Sequence, residues 1–169
     1  ETELTNGWFE ALKMFLILDP AAYQKAKTGF DPTLLERAMQ LKMQVVESDS
    51  REEGPRAILN FGHSVGHAIE SLSNYKVPHG YAVSLGMLVE ARISVEQGLW
   101  DLRAWEDLRG VLQNLGVDQN DLKKFAPNEL WATMQGDKKN RGGKVRMVLL
   151  NGTAASLQEV SEAIFTQCF

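Results

Sequence analysis

The sequence predicts a mainly helical domain of several helices with one small β-hairpin near its C-terminus. Three observations predict it. Bulky apolar side chains recur at helical spacing over most of the chain. The pair Asn151-Gly152 lies between two short strand-like runs, a strong hairpin signal. No strand–glycine-rich turn–helix unit occurs, so no dinucleotide-binding fold is expected within these residues.

The elements follow in order. A first helix over residues 5–18 carries Trp8, Phe9, Leu12, Phe15 and Leu16. Asp31-Pro32 supplies an N-cap and a proline at the first helical position. The helix it opens has Leu34, Leu35, Ala38, Leu41, Val45 and Val46 on one face. Pro55 opens a helix running to about Leu72, and 74–78 form a loop. His79 leads a long apolar segment to Gly98. Asp101 caps a helix to Leu115, and Asp118 and Pro127 open two shorter ones. Arg141-Gly142-Gly143 marks a turn into the strand Val145–Leu150, and Thr153–Leu157 is the returning strand.

Composition narrows the function. A chain of 169 residues, 44% of them apolar, can bury a core of its own. A net charge of -4 argues against non-specific nucleic-acid binding, which needs an excess of Lys and Arg. No apolar run is long enough to span a bilayer. The lone Cys168 permits no intrachain disulfide and fits a reducing, cytoplasmic setting. The first residues, Glu1-Thr2-Glu3-Leu4-Thr5, lack a Met and the regions of a signal peptide, as expected of an excised piece.

The most informative segment is Arg56 to Glu70. Ile58, Phe61, Val65, Ile69 and Leu72 make an apolar stripe. Arg56, Asn60, His63 and His67 make a polar one at steps of four, three and four, which share a face if the segment is one helix. Gly62 and Gly66 would let another backbone approach. The third histidine of the chain, His79, follows after a loop. Three imidazoles so close suggest a metal site with positions left open for substrate; a pair of hydrogen-bonded helix histidines is the plainer alternative. Lys42 interrupts the apolar stripe of its helix and either snorkels to solvent or faces a polar cavity. Glu10 and Lys13 make either an intrahelical ion pair or part of a metal site.

At these residues the sequence resembles the 3-dehydroquinate synthases. Their long motif is Arg56 to Glu70 here, followed by His79-Gly80-Tyr81-Ala82-Val83. Their Gly-x-x-Glu-x-x-Lys is Gly7 to Lys13, and their Asp-Lys-Lys before a turn is Asp137-Lys138-Lys139. The resemblance implies that Glu10, His63 and His79 bind zinc or cobalt. It implies that Lys13, Lys42, Asn60 and His67 act in catalysis. Arg56, Lys42, Asn60, Glu52, Lys138 and Lys139 would hold a small sugar acid phosphate. Family members use NAD to convert the seven-carbon keto sugar acid phosphate DAHP into 3-dehydroquinate and phosphate, in the shikimate route. On this reading residues 1–169 are the C-terminal metal- and substrate-binding domain, silent alone. An N-terminal domain outside the chain would hold NAD, and the intact enzyme would be a cytoplasmic homodimer. Tyr81 departs from the family's usual Glu, and Pro55 from its usual Leu. Other readings are a related sugar-phosphate cyclase, an iron-group alcohol dehydrogenase domain, or a non-catalytic helical interaction domain.

Overall fold

A computed structural model describes residues 2–48, 55–136 and 144–169. The elements run α1 (Thr2–Leu18), α2 (Pro20–Ala26), α3 (Thr33–Ser48), a 3₁₀ turn (Pro55–Asn60), α4 (His63–Leu72), α5 (His79–Glu96) and α6 (Leu102–Asn114). A second 3₁₀ turn (Gln119–Lys124), α7 (Pro127–Gln135), β1 (Val145–Asn151), β2 (Ala154–Val160) and α8 (Glu162–Cys168) complete them. The starts follow local capping chemistry. Asp19 Oδ1 accepts from Ala22 N–H at 3.0 Å ahead of α2, and Asp31 Oδ1 from Thr33 N–H at 2.9 Å ahead of α3. Asp101 accepts from Arg103 N–H at 2.8 Å and opens α6.

α5 is the axis of the fold. Its residues are apolar nearly all round, the pattern of a helix with no solvent face. Ala82 to Ala91 are all buried, and α1, α4, α6, α8 and β1 pack around it. The antiparallel hairpin docks on its far end. Val145 pairs with Val160 and Asn151 with Ala154, so Gly152, at φ 58°, and Thr153 make a two-residue turn. Buried Ser94 joins the two parts: its hydroxyl donates to the Glu90 carbonyl at 2.8 Å and accepts from Leu150 N–H at 3.0 Å. One core runs from Trp8 to Phe165. Among the described residues no helix is long and apolar enough to cross a membrane.

Residues 55–72 do not form the single helix that their periodicity predicts. The 3₁₀ turn ends at Asn60, and Gly62 takes the left-handed conformation, φ 79°, before α4 begins at His63. The cause is tertiary. A Cβ at Gly62 would lie 2.7 Å from the Val83 carbonyl, and one at Gly66 3.0 Å from Val83 Cα. On the opposite helix, a Cβ at Gly86 would lie 2.9 Å from the Gly62 carbonyl carbon. Glycines on both helices thus let α4 and α5 touch backbone to backbone, as expected for Gly62 and Gly66. The helices α2 and α8 appear where no element is expected, and the returning strand extends to Val160.

Candidate metal and substrate site

The beginnings of α4 and α5 meet the middle of α1. Glu10 projects from α1, His63 is the first residue of α4, and His79 the first of α5. Glu10 Oε1 lies 3.6 Å from His63 Nε2 and 3.9 Å from His79 Nε2. Ligand atoms of the three residues all fall within 4.8 Å of one another. A tetrahedral zinc with ligands near 2.0–2.1 Å sets its donors about 3.3 Å apart, so a small contraction would close these three on one ion. Glu10 Oε1 is buried and accepts no hydrogen bond among the described residues. An acceptor left bare in that way is costly unless a cation completes it. The residues therefore fit a divalent metal.

Each donor is held by its other end. Lys13, buried to 2% exposure, donates from Nζ to Glu10 Oε2 at 2.9 Å, which leaves Oε1 turned toward the imidazoles. His79 Nδ1 lies 3.1 and 3.2 Å from the two carboxylate oxygens of Glu70. His63 Nδ1 lies 3.2 Å from the Phe61 carbonyl oxygen and 3.5 Å from Lys13 Nζ. The Glu70 carboxylate for His79, and the Phe61 carbonyl for His63, favour the tautomer that leaves Nε2 bare. A second triplet, His67, Glu70 and His79, also gathers ligand atoms, but Glu70 already spends both oxygens on His79.

The titrating groups are strongly displaced. Burial, then the Lys13 charge, push His63 down to about 4, so its imidazole is neutral at neutral pH. Burial raises the Glu10 carboxyl, but the charge and hydrogen bond of Lys13, with His63 and His79, outweigh it and hold it below its usual value. Burial lowers Lys13, assisted by the Lys42 charge and opposed by Glu10 and Glu90. Burial drives the wholly enclosed Glu90 up to about 8, against the backbone N–H groups of Gly62, Val65 and Ser64.

The remaining expected residues divide. His67 is exposed on α4, its ring 5.2 Å from His63 and 6.0 Å from His79, centroid to centroid. Lys42 is exposed rather than enclosed, yet its charge bears on Lys13. Arg56 and Asn60 are half-buried on the 3₁₀ turn, which packs against α1 and α3, the helices of Lys13 and Lys42. They do not continue the face of α4, because Gly62 breaks the helix between them and His63. Glu52, Lys138 and Lys139 lie outside the described residues. Tyr81 turns away from His79, two residues and about 200° back along α5. Its hydroxyl donates to Asp121 Oδ2 at 2.8 Å and accepts from Asp118 N–H at 3.0 Å. Two groups escape a reading of the sequence: Glu70 as the partner of His79, and Glu90. A lone carboxylate within the apolar run 82–95 was the available sign of Glu90.

The chain shares its fold with solved synthases. It has the fold of 2-epi-5-epi-valiolone synthase from Streptomyces hygroscopicus subsp. jinggangensis 5008, solved with NAD+ and Zn2+, at a TM-score of 0.86 and 22% identity; 99% of this chain and 51% of that one are covered. It also matches 2-deoxy-scyllo-inosose synthase, solved with carbaglucose-6-phosphate, NAD+ and Co2+, at a TM-score of 0.84 and 22% identity, over 98% and 50% of the two chains. The chain belongs to the 3-dehydroquinate synthase C-terminal family, whose model matches residues 7–140. Relatives include the 3-dehydroquinate synthases of Xanthomonas campestris pv. campestris strain 8004, 36% identical over 95% of this chain and 48% of its own, and of Thermodesulfovibrio yellowstonii, 35% identical over 88% and 45%. The chain spans half or less of the length of the curated relatives it matches.

Proposed function

We propose that this chain is the metal- and substrate-binding half of a 3-dehydroquinate synthase. The intact protein would convert the seven-carbon keto sugar acid phosphate to 3-dehydroquinate and phosphate, with NAD and zinc or cobalt. The observation that carries the proposal is the bare, buried Glu10 Oε1 facing two imidazole Nε2 atoms from two other helices. The solved relatives that share the fold hold NAD+ with Zn2+ or Co2+.

Glu10, His63 and His79 would hold the metal, which when bound supplies Lewis-acid polarisation of a substrate oxygen. Lys13 keeps Glu10 ionised and aimed by its bond to Oε2. His67, exposed beside His79, is placed to exchange protons with a bound substrate. Lys42 and Arg56 would receive the anionic groups, Arg56 through the bidentate geometry that guanidinium offers a carboxylate. Asn60 beside them would orient a hydroxyl. Glu52, Lys138 and Lys139 join the site on their motif alone. The nicotinamide would be held outside these residues, since the described ones contain no strand–glycine turn–helix unit to cradle a pyrophosphate. A cytoplasmic homodimer belongs to the same proposal.

The test has two parts. Titration of zinc or cobalt into the purified chain should show one site, weakened about 100-fold or more by Glu10→Gln, His63→Ala or His79→Ala; unchanged affinity in the histidine variants would remove the assignment. The 169-residue chain with substrate, NAD and metal should be silent and regain turnover when the separately expressed nucleotide-binding half is added. Turnover by the chain alone would show that a nucleotide site lies within it.

A further inference from the structure

Glu90 is wholly buried in the middle of α5, eleven residues from His79, and takes no place among the metal or substrate groups. Its carboxyl group reaches across to the start of α4. Oε2 accepts from Gly62 N–H at 2.7 Å, and Oε1 faces Val65 N–H at 3.4 Å. Gly62 N–H belongs to the same peptide unit as the Phe61 carbonyl, and that carbonyl lies 3.2 Å from His63 Nδ1. A chain of contacts therefore runs from the Glu90 carboxyl group, through one rigid planar peptide, to the back of His63.

The link has a competitor to overcome. Lys13 Nζ stands 3.5 Å from the same His63 Nδ1, and an ammonium there favours an Nδ1 lone pair, hence a proton on Nε2. That tautomer could not bind a metal through Nε2. The Phe61 carbonyl favours the opposite one. An N–H held by a buried carboxyl oxygen polarises its own peptide and makes the carbonyl a better acceptor. Lys13 also has its shorter bond, 2.9 Å, on Glu10. His79 obtains the same service directly from Glu70.

We infer that Glu90 is a positioning residue for His63, holding the Phe61–Gly62 peptide so that its carbonyl takes the Nδ1 proton and Nε2 is left bare for the metal. The inference rests on the metal reading above for its purpose, but its geometry can be measured without metal. The experiment is nitrogen-15 NMR of the imidazoles in the metal-free chain, native and with Glu90→Leu and Glu70→Gln, followed by cobalt titration. The native chain should show His63 protonated on Nδ1. Glu90→Leu, which removes the acceptor, should move His63 toward the Nε2–H form, leave His79 as it was, and weaken cobalt binding about tenfold. Glu70→Gln should move His79 and leave His63. An Nε2–H form of His63 in the native chain overturns the inference by itself, even if Glu90→Leu does not fold. So does an unmoved His63 tautomer in Glu90→Leu, or equal disturbance of both histidines, which is the mark of general damage. If His63→Ala left cobalt affinity intact, the metal reading would fall while the tautomer result still decided the role of Glu90.

Discussion

Gly86→Ala should be the most damaging single methyl in this domain. A Cβ at residue 86 would lie 2.9 Å from both the Gly62 carbonyl carbon and Gly66 N, and closer still to the Gly62 carbonyl oxygen. Apolar carbons settle at about 3.5–4.0 Å from their neighbours, so α4 must retreat by at least about 0.6 Å on the first contact alone. All three neighbours are backbone, and none can rotate aside. The cost belongs at the upper end of the overpacking range, about 3 kcal/mol, or about 6–12 °C in melting temperature for a chain of this size. The retreat carries His63 away from Glu10 and His79, which ride on other helices. Metal sites tolerate distance errors of only about 0.2 Å, so zinc affinity should fall together with stability. The comparison is Gly110→Ala, within α6, where a Cβ meets nothing within 4 Å. There the added methyl should stabilise by about 0.5–1 kcal/mol through lost unfolded-state freedom. Thermal melts with zinc titrations on both variants give the answer. A Gly86→Ala chain melting within about 2 °C of the native one, with native zinc affinity, would refute the backbone-to-backbone packing of α4 on α5.

Further outcomes follow from the site and its surroundings. His63, at about 4 in the fold against about 6.5 when unfolded, is protonated first in the unfolded chain. Its contribution is complete above about pH 6.5 and is lost as pH falls toward 4, on the order of 3 kcal/mol. Urea denaturation of the metal-free chain across that window, beside His63→Asn, should show the slope shrink in the variant; an identical slope would disprove the buried neutral imidazole. Tyr81→Phe removes one donated and one accepted hydrogen bond and should cost about 1–2 kcal/mol, with zinc affinity unchanged. A change in affinity would place Tyr81 at the site after all.

Much of this architecture is written in local pattern, and the misses share a cause. The hairpin needed only Asn151-Gly152 and its flanks, because a two-residue turn is decided by residues in immediate sequence. The histidine cluster was legible because the family motif and the four-residue spacing of His63 and His67 pointed to the same face. The break at Gly62 was not, since both stripes of 56–70 are compatible with an unbroken helix. What breaks it is a carboxylate 28 residues later and a glycine on α5. α2 and α8, of seven residues each, are too short for periodicity to show. Lys42 was ambiguous for a physical reason: a long aliphatic stem lets one lysine sit on an apolar stripe while its ammonium stays in solvent.

The burial of Ala82 to Ala91 at the centre of α5 divides the molecule by how its amides exchange with solvent. An amide there can reach water only when the surrounding helices and β1 come away, so its exchange reports the free energy of opening the whole domain. α3 is different. It leans on α1 and the first 3₁₀ turn, with much of its length, including Met39, Lys42 and Met43, in solvent. Its amides should exchange through local opening, far faster. His63 and His79 begin helices packed into the slow-exchanging body, whereas Lys42 rides on the fast layer. If Lys42 binds an anion as proposed, it can follow a substrate through changes of shape and charge while the imidazoles keep their spacing.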